Sequence, residues 1–214
     1  MRRLRLPGLL LLTPLLTVTA AAQEKPVTTP YYPLKVGNQW TYRTGKETVV
    51  IRVDKETPLE VGPGKDGGKS GKSTGFVLSV TSGAREREVT ERVAVLADGV
   101  YRFSAAGKAV KPPLRFLKLP TKTGESWPIE STTADGKAIR GQFVAGSETI
   151  QLELQGRMFE LPTVTVSSKD FRIGDDRITI KYWFAKDIGM VKQHVQIGKD
   201  EPVMLELRAF KAAP

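Results

Sequence analysis

From residue 39 onward, the sequence repeatedly alternates apolar and polar residues with a period of two. In one such run, Ile150, Leu152 and Leu154 are separated by polar side chains. Because successive side chains of a β-strand point to opposite faces, this period predicts strands with one buried face. Similar runs occur at residues 49–53, 76–80, 178–184 and 203–209. No long stretch shows helical spacing of apolar residues, so we predict an all-β fold.

Turn signals separate these runs at short intervals. Asp98-Gly99, Asp135-Gly136 and Gly198-Lys199-Asp200 are typical of connections between neighbouring antiparallel strands. Two segments are ambiguous: residues 86–96 fit a strand or a charged helix, and residues 111–119 allow a short helical turn. The pattern predicts a mostly antiparallel, strongly curved sheet or open half-barrel, with a β-sandwich as the alternative.

The first 22 residues have the composition of an export signal. Arg2, Arg3 and Arg5 form a basic start, residues 9–18 are largely apolar, and residues 20–22 are small alanines. The apolar run, at about ten residues, is too short for a bilayer span, which needs roughly twenty. We interpret residues 1–22 as a cleaved signal peptide, and we expect a periplasmic or extracellular protein.

After residue 22, the chain is long enough for one domain. Its composition distinguishes two segments, one before the first predicted strand and one between two predicted strands. Prolines and threonines are frequent in residues 23–31, which predicts an extended linker before a single β domain at residues 32–214. Glycine, lysine and serine dominate residues 58–75, which predicts a mobile loop between two strands.

The formal charge of the chain is +10 at pH 7, and three of the positive charges belong to the arginines of the signal. A basic exported protein favours contact with anionic surfaces such as phospholipid head groups, whereas export argues against nucleic acid as a partner. The chain has no cysteine, which excludes disulfides, thiolate metal centres and lipid attachment through a cysteine. We expect a monomer without a cofactor.

The glycine-rich segment contains two motifs that resemble functional sequences. Its Gly-Lys-Ser triplets lack the spacing of a phosphate-binding loop, and a strand pattern follows them instead of a helix. The run from Gly71 to Gly75 matches the nucleophile elbow of serine hydrolases around Ser73, and His194 follows later. An elbow requires a strand before the serine and a helix after it, and neither is predicted. A hydrolase using Ser73 and His194 is therefore a distant alternative, and we assign no catalytic residue.

His194 is the single histidine of the chain, and its predicted strand face also carries Lys192 and Gln196. One imidazole without a cysteine or a second histidine is a poor basis for a transition-metal site. We therefore predict no metal-binding residues.

Three aromatic residues are candidate ligand contacts. Trp40 and Tyr42 share one face of the first predicted strand, whereas Trp183 lies on the opposite face of its strand from Tyr182 and Phe184. Core packing is the ordinary role of aromatic residues in a β domain. A tryptophan beside threonine and lysine on its own face also suits the mouth of a groove. We take Trp40, Tyr42 and Trp183 as the candidate ligand-binding residues.

Two segments resemble the opening and closing signatures of a broad group of secreted bacterial β-rich proteins without a settled function. They are YYPLKVGNQWTY at residues 31–42 and WFAKDIGMVKQ at residues 183–193. The glycines in both segments suit turns that direct neighbouring strands, so we interpret the motifs as structural. The resemblance implies a curved antiparallel sheet similar to the envelope lipoprotein carriers, and it implies no active site.

These observations favour an exported, non-enzymatic envelope protein that binds an apolar or lipid-like ligand on the concave face of its sheet. Its basic exterior would favour peripheral contact with anionic membranes. The alternative is a structural or protein-interaction module with an envelope protein as partner. A carrier predicts a hollow interior, whereas such a module predicts an interior filled by side chains.

Overall fold

The computed structural model describes residues 27–61, 71–83 and 88–214, and these residues form an antiparallel β-sheet of twelve strands. The predicted signal peptide at 1–22 and residues 23–26 of the predicted linker lie outside the described residues. The strands are β1 (Gln39–Thr44), β2 (Glu47–Val61), β3 (Gly71–Ser82), β4 (Glu88–Leu96), β5 (Gly99–Ala105), β6 (Lys108–Lys118), β7 (Ser126–Thr133), β8 (Ala138–Leu154), β9 (Arg157–Ile173), β10 (Asp176–Ala185), β11 (Gly189–Ile197) and β12 (Val203–Lys211). The described ranges contain no helix that is long and apolar enough to cross a membrane.

The sheet closes into a barrel. Each strand pairs with its neighbours in sequence, and β1 also pairs with β12, where Trp40 lies opposite Phe210. The prediction of a mostly antiparallel all-β fold is confirmed. The sheet is neither an open half-barrel nor a sandwich, because the first and last strands meet and remove the free edges. The alternation of apolar and polar residues within a strand carries no information about the pairing of β1 with β12.

The structure resolves two ambiguous segments and corrects one predicted loop. Residues 88–96 form β4 and residues 108–118 form β6, so both ambiguous segments are strands. Both ends of the loop predicted at 58–75 are strand, because Pro58 pairs with Thr74 and Leu59 with Ser73. Residues 62–70 lie outside the described part of the chain. A Cβ at Gly75 would overlap the side chain of Leu59, so a larger residue at this position would require Leu59 to move.

The last residues of the predicted linker belong to the folded domain. Thr29 is buried, and the carbonyl of Pro30 accepts a hydrogen bond from the Asp187 amide at 2.7 Å. Tyr32 packs its ring against Phe116 and Phe184, with centroid distances of 5.5 and 6.1 Å. Residues 27–38 therefore cover one end of the barrel, and the domain begins before residue 32.

Aromatic side chains fill much of the barrel interior. Tyr182, Phe116, Phe143 and Phe184 are at most 2% exposed. The ring centroids that are in contact among them lie 5.8 to 6.4 Å apart. Large rings supply the volume that a wide barrel needs to close without a hollow centre. The concave face therefore offers no open cavity at these residues.

Candidate functional site

Trp40 and Tyr42, two of the predicted ligand contacts, hold the barrel together. Both lie on the inner face of β1, and each is 2% exposed. The Trp40 indole donates to the carbonyl of Ile188 at 2.6 Å, and the Tyr42 hydroxyl donates to the carbonyl of Met190 at 2.8 Å. These bonds join β1 to the connection between β10 and β11 and to the start of β11, so the two signature segments meet in space. Burial leaves neither side chain a surface for a ligand.

Trp183, the third predicted contact, lies on the outer face of β10 and is 7% exposed. The Nζ atoms of Lys181 and Lys192 lie 4.6 and 5.5 Å from the centre of its ring. Long lysine side chains can cover an apolar surface with their stems while their charges remain in water. The buried indole Nε1 makes no hydrogen bond of normal geometry among the described residues, although its N–H lies close enough to the Glu148 carboxylate to affect the pKa of that group. Trp183 is thus a covered residue and not the mouth of a groove.

The Glu148 carboxylate belongs to the same outer cluster. Lys181 donates a hydrogen bond to it at 2.6 Å, and this bond holds the pKa of Glu148 below its ordinary value. Partial burial acts in the opposite direction, while the charge of Lys181, the Trp183 N–H and the charge of Lys192 lower the pKa further. The cluster is therefore an ion pair beside a shielded indole, with both charged partners already engaged.

We expect the Lys181→Met substitution to raise the pKa of Glu148 toward its ordinary value. Because the folded-state pKa lies below the unfolded value, Glu148 contributes stability above its unfolded pKa, and this contribution is lost as the pH falls through the folded pKa. The carboxylate is near the surface, so the change in stability should be small. Side-chain carboxyl NMR shifts followed through an acid titration would measure the pKa. Arg177→Met, which removes a charge at the other end of β10, is the control, and an unchanged Glu148 pKa in Lys181→Met would contradict this assignment.

The serine-hydrolase alternative finds no support in the geometry. Ser73 lies within β3, paired with Leu59, so the segment is extended where a nucleophile elbow needs a tight turn. His194 lies on β11 between Lys181 and Met204, and β12, β1 and β2 separate β11 from β3 on that side of the barrel. In the described ranges, no three His, Cys, Asp or Glu side chains are grouped to hold a metal ion.

A charged pair lies among the aromatic rings of the interior. Arg102 Nη2 is 3.1 Å from Glu91 Oε1, and the two side chains are 17% and 26% exposed. The guanidinium also lies 5.0 Å from the ring centre of Phe116, and Nη1 donates to the Tyr182 hydroxyl at 3.4 Å. Burial opposes the charge of Arg102, but Glu91 and Tyr182 outweigh it, so the pKa of Arg102 is raised. Arg102 therefore retains its positive charge beside the rings of the interior.

Strands β8 and β9 continue past their neighbours as a long hairpin. Their mutual pairing reaches Leu154 and Arg157, whereas the pairing of β9 with β10 extends only as far as Thr163. We call residues 150–161 the tip hairpin. The Gln155 amide donates to the carbonyl of Arg208 at 2.9 Å, and Arg208 Nη1 lies 2.8 Å from Glu153 Oε2. These contacts fix the tip hairpin against β12.

A pocket of about 500 Å³ lies between the tip hairpin and the adjacent barrel end. Its lining residues are Leu154, Gln155, Arg157, Phe159, Ile188, Ala209 and Phe210. The volume falls within the range of small-molecule sites. Phe210 stacks on Trp40 with a centroid distance of 5.4 Å, so Trp40 supports the wall of the pocket without lining it.

The lining of the pocket is mostly apolar. Five of its seven lining residues are apolar, and Gln155 and Arg157 supply an amide and a guanidinium. None of the lining residues provides a carboxylate, imidazole, hydroxyl or thiol for nucleophilic or acid–base catalysis. The guanidinium can pair with a carboxylate or phosphate through two hydrogen bonds. The pocket is therefore suited to an apolar molecule with an acidic group.

Sequence alternation predicts a strand at residues 150–155 but gives no indication of this pocket. One local signal was present: Met158 and Phe159 are adjacent large apolar residues just after the Gln155-Gly156 turn. They are 64% and 44% exposed. A strand with one buried face would bury at most one of two such neighbours, so the pair indicated a surface feature.

No protein-family model and no curated protein matches this sequence. Among solved structures, a predicted exported protein with a YmcC-like fold from Bacteroides fragilis aligns over 86% of this chain and 100% of its own, at 13% identity and a TM-score of 0.45. A predicted lipoprotein from Parabacteroides distasonis aligns over 86% of this chain and 99% of its own, at 8% identity and a TM-score of 0.45. At this similarity no function is transferred from either protein.

Proposed function

We propose that this chain is an exported, non-enzymatic envelope protein that binds an apolar or lipid-like ligand. The binding site is the pocket between the tip hairpin and the barrel end, outside the filled interior. The observation that carries this proposal is an apolar pocket of about 500 Å³ with a single guanidinium in its lining. The composition of residues 1–22 supports export to the periplasm or the medium.

The pocket favours a ligand with two chemically different parts. Phe159, Ile188 and Phe210 offer apolar surface for an acyl chain or a group of similar character. Arg157 is exposed, so its guanidinium can pair with an acidic head group at the pocket mouth while remaining solvated in the free protein. A long-chain fatty acid has both parts and is a suitable first probe.

We expect Ala209→Trp to weaken binding of a fluorescent long-chain fatty acid by about tenfold or more, because the indole would occupy the pocket volume. Ala109→Trp is the matched control, since it adds the same ring at an exposed position of β6. Fluorescence titration gives the affinities, and circular dichroism verifies that both variants are folded. Absence of saturable binding to the wild type, or equal affinities for wild type and Ala209→Trp, would contradict the assigned site.

A structural or protein-interaction module is the second candidate, and the aromatic filling of the barrel interior favours it. The two candidates differ in what contacts the pocket rim in the cell. A photo-crosslinking amino acid at position 159 should form adducts with a lipid-sized molecule if the pocket is a binding site. Adducts with one defined envelope protein, and with no small molecule, would favour the second candidate.

A further inference from the structure

In the described part of the chain, no strand pairs along either outer edge of the tip hairpin. β7 pairs with β8 only as far as Val144, and β10 pairs with β9 only as far as Thr163. A two-stranded hairpin without further strands is at best marginally stable in water. The position of the tip hairpin therefore depends on the contacts that it makes with the barrel.

The base of the hairpin, just before the tip hairpin begins, is fixed to the barrel wall. The Thr163 hydroxyl donates to the carbonyl of Glu148 at 2.6 Å, and the Glu148 carboxylate accepts from Lys181 of β10 at 2.6 Å. Thr163 also pairs with Ala185 at the end of β10. Movement of the tip hairpin is therefore expected beyond Glu148 and Thr163 and not at the base.

The face of the tip hairpin that covers the pocket is mostly apolar. Because residues directly opposite each other in a strand pair share a face, Leu152 lies on the same face as Phe159. Leu154 and Arg157 share that face as well, and both line the pocket together with Phe159. Leu152 is only 4% exposed. Lifting of the tip hairpin would expose Leu152 and open the pocket to solvent.

An ion pair and a backbone hydrogen bond join the end of the tip hairpin to β12. Glu153 Oε2 lies 2.8 Å from Arg208 Nη1, and the Gln155 amide donates to the Arg208 carbonyl at 2.9 Å. The side chains of Glu153 and Arg208 are 49% and 22% exposed. Ion pairs as exposed as this one contribute little to global stability, so this pair can break without disrupting the barrel.

Arg208 keeps a carboxylate partner when Glu153 leaves. Its Nη2 lies 3.4 Å from Glu206 Oε2, and the Glu206 carboxylate lies 3.2 Å from Lys192 and 3.7 Å from Arg43. The exposed Glu153 carboxylate would enter water, where it is solvated. Breaking the pair therefore leaves no unpaired buried charge on either side, which favours a reversible contact.

We propose that the tip hairpin is a lid over the pocket and that the Glu153–Arg208 ion pair is its latch. In the closed state the apolar face of the hairpin covers the pocket. In the open state the hairpin lifts from β12 while its base stays on β10, and the ligand enters or leaves. This inference rests on the proposed function, because it assigns the access route of the same pocket. Arg208 is thus a positioning residue that does not line the pocket.

Thiol labelling measures lifting of the lid without any ligand. The chain has no cysteine, so Leu152→Cys places a single thiol beneath the hairpin. We expect Glu153→Gln in this background to accelerate labelling by N-ethylmaleimide about threefold, because the latch is lost. Glu160→Gln is the matched control, since it removes a carboxylate from the same outer face, and it should leave the rate unchanged. Sodium chloride at about 0.5 M should accelerate labelling only in variants that retain Glu153.

Val166→Cys distinguishes lifting of the hairpin from unfolding of the barrel. Val166 is 0% exposed and lies in β9 on the barrel side of the base, so its thiol should label far more slowly than the thiol at position 152. Hydrogen exchange of the Gln155 amide gives the same comparison in chains without an added cysteine. Equal labelling at positions 152 and 166, or no acceleration of labelling and exchange by Glu153→Gln, would overturn the lid.

Stopped-flow binding of the fluorescent fatty acid tests whether the lid controls access to the pocket. Glu153→Gln should raise the association and dissociation rate constants by the same factor, about threefold, and leave Kd nearly unchanged. A change in Kd without a change in the association rate constant would overturn the role of the latch. If the fatty acid does not bind at all, the proposed function fails, while labelling still decides whether the hairpin lifts.

Discussion

Glu91→Leu is expected to lower the free energy of unfolding by about 3 kcal/mol, because it leaves the guanidinium of Arg102 without its carboxylate inside the barrel. The remaining contacts of Arg102, with the Tyr182 hydroxyl and the Phe116 ring, do not replace a negative charge. Nε of Arg102 already lacks a hydrogen-bond partner in the described structure, so the loss of Glu91 would add to an incompletely satisfied guanidinium. Chemical denaturation followed by circular dichroism measures the loss.

The matched double variant separates the cost of an unpaired charge from the value of the ion pair. Glu91→Leu/Arg102→Met removes both charges and keeps apolar volume in the interior, so it should recover most of the stability lost in Glu91→Leu. A double variant as unstable as the single one would indicate that the ion pair itself is strongly stabilising. A loss below about 1 kcal/mol in Glu91→Leu would show that water solvates Arg102 well, contrary to the packing described.

Phe184→Ala is expected to cost about 4 kcal/mol of stability, within the range for large-to-small changes in a well-packed core. Phe184 is 0% exposed, and its ring contacts those of Tyr32, Phe116 and Tyr182. Removing the ring would leave a cavity where the aromatic interior is joined to the residues that cover the barrel end. Phe184→Leu should cost much less, because it retains most of the volume.

Phe159→Ala is the control for the same chemical change at the surface. Phe159 is 44% exposed, so its loss should cost less than about 1 kcal/mol. Denaturant midpoints of the three variants, measured together, give the comparison. Equal losses of stability in Phe184→Ala and Phe159→Ala would contradict a filled interior. They would favour a hollow barrel, which binding of a ligand on the concave face requires.

The strands could be predicted from the sequence because their signal is local. Alternation at Val49 to Val53, or at Ile178 to Phe184, reports which side chains share a face. Closure of the barrel could not be predicted in this way, because it depends on the pairing of Trp40 with Phe210, 170 positions away. Composition also misled at residues 71–75, where a glycine- and serine-rich segment is a strand.

The candidate site was harder to predict than the fold. Trp40, Tyr42 and Trp183 have the side chains of ligand contacts, but residue type does not reveal that two of them face a filled interior and that the third is covered. The pocket combines residues 154–159 with Ile188 and with Ala209 and Phe210. The pocket forms because the tip hairpin contacts β12. A tertiary contact of this kind is not visible in the periodicity of the sequence.

Native mass spectrometry of the mature protein, purified from the envelope of its own host, tests the pocket most directly. The wild type should carry extra mass that is lost on denaturation, and Ala109→Trp should carry the same adduct. Ala209→Trp should be bare, because its pocket is filled. A bare wild type under gentle, detergent-free conditions, or the same adduct on wild type and Ala209→Trp, would contradict ligand binding between the tip hairpin and the barrel end.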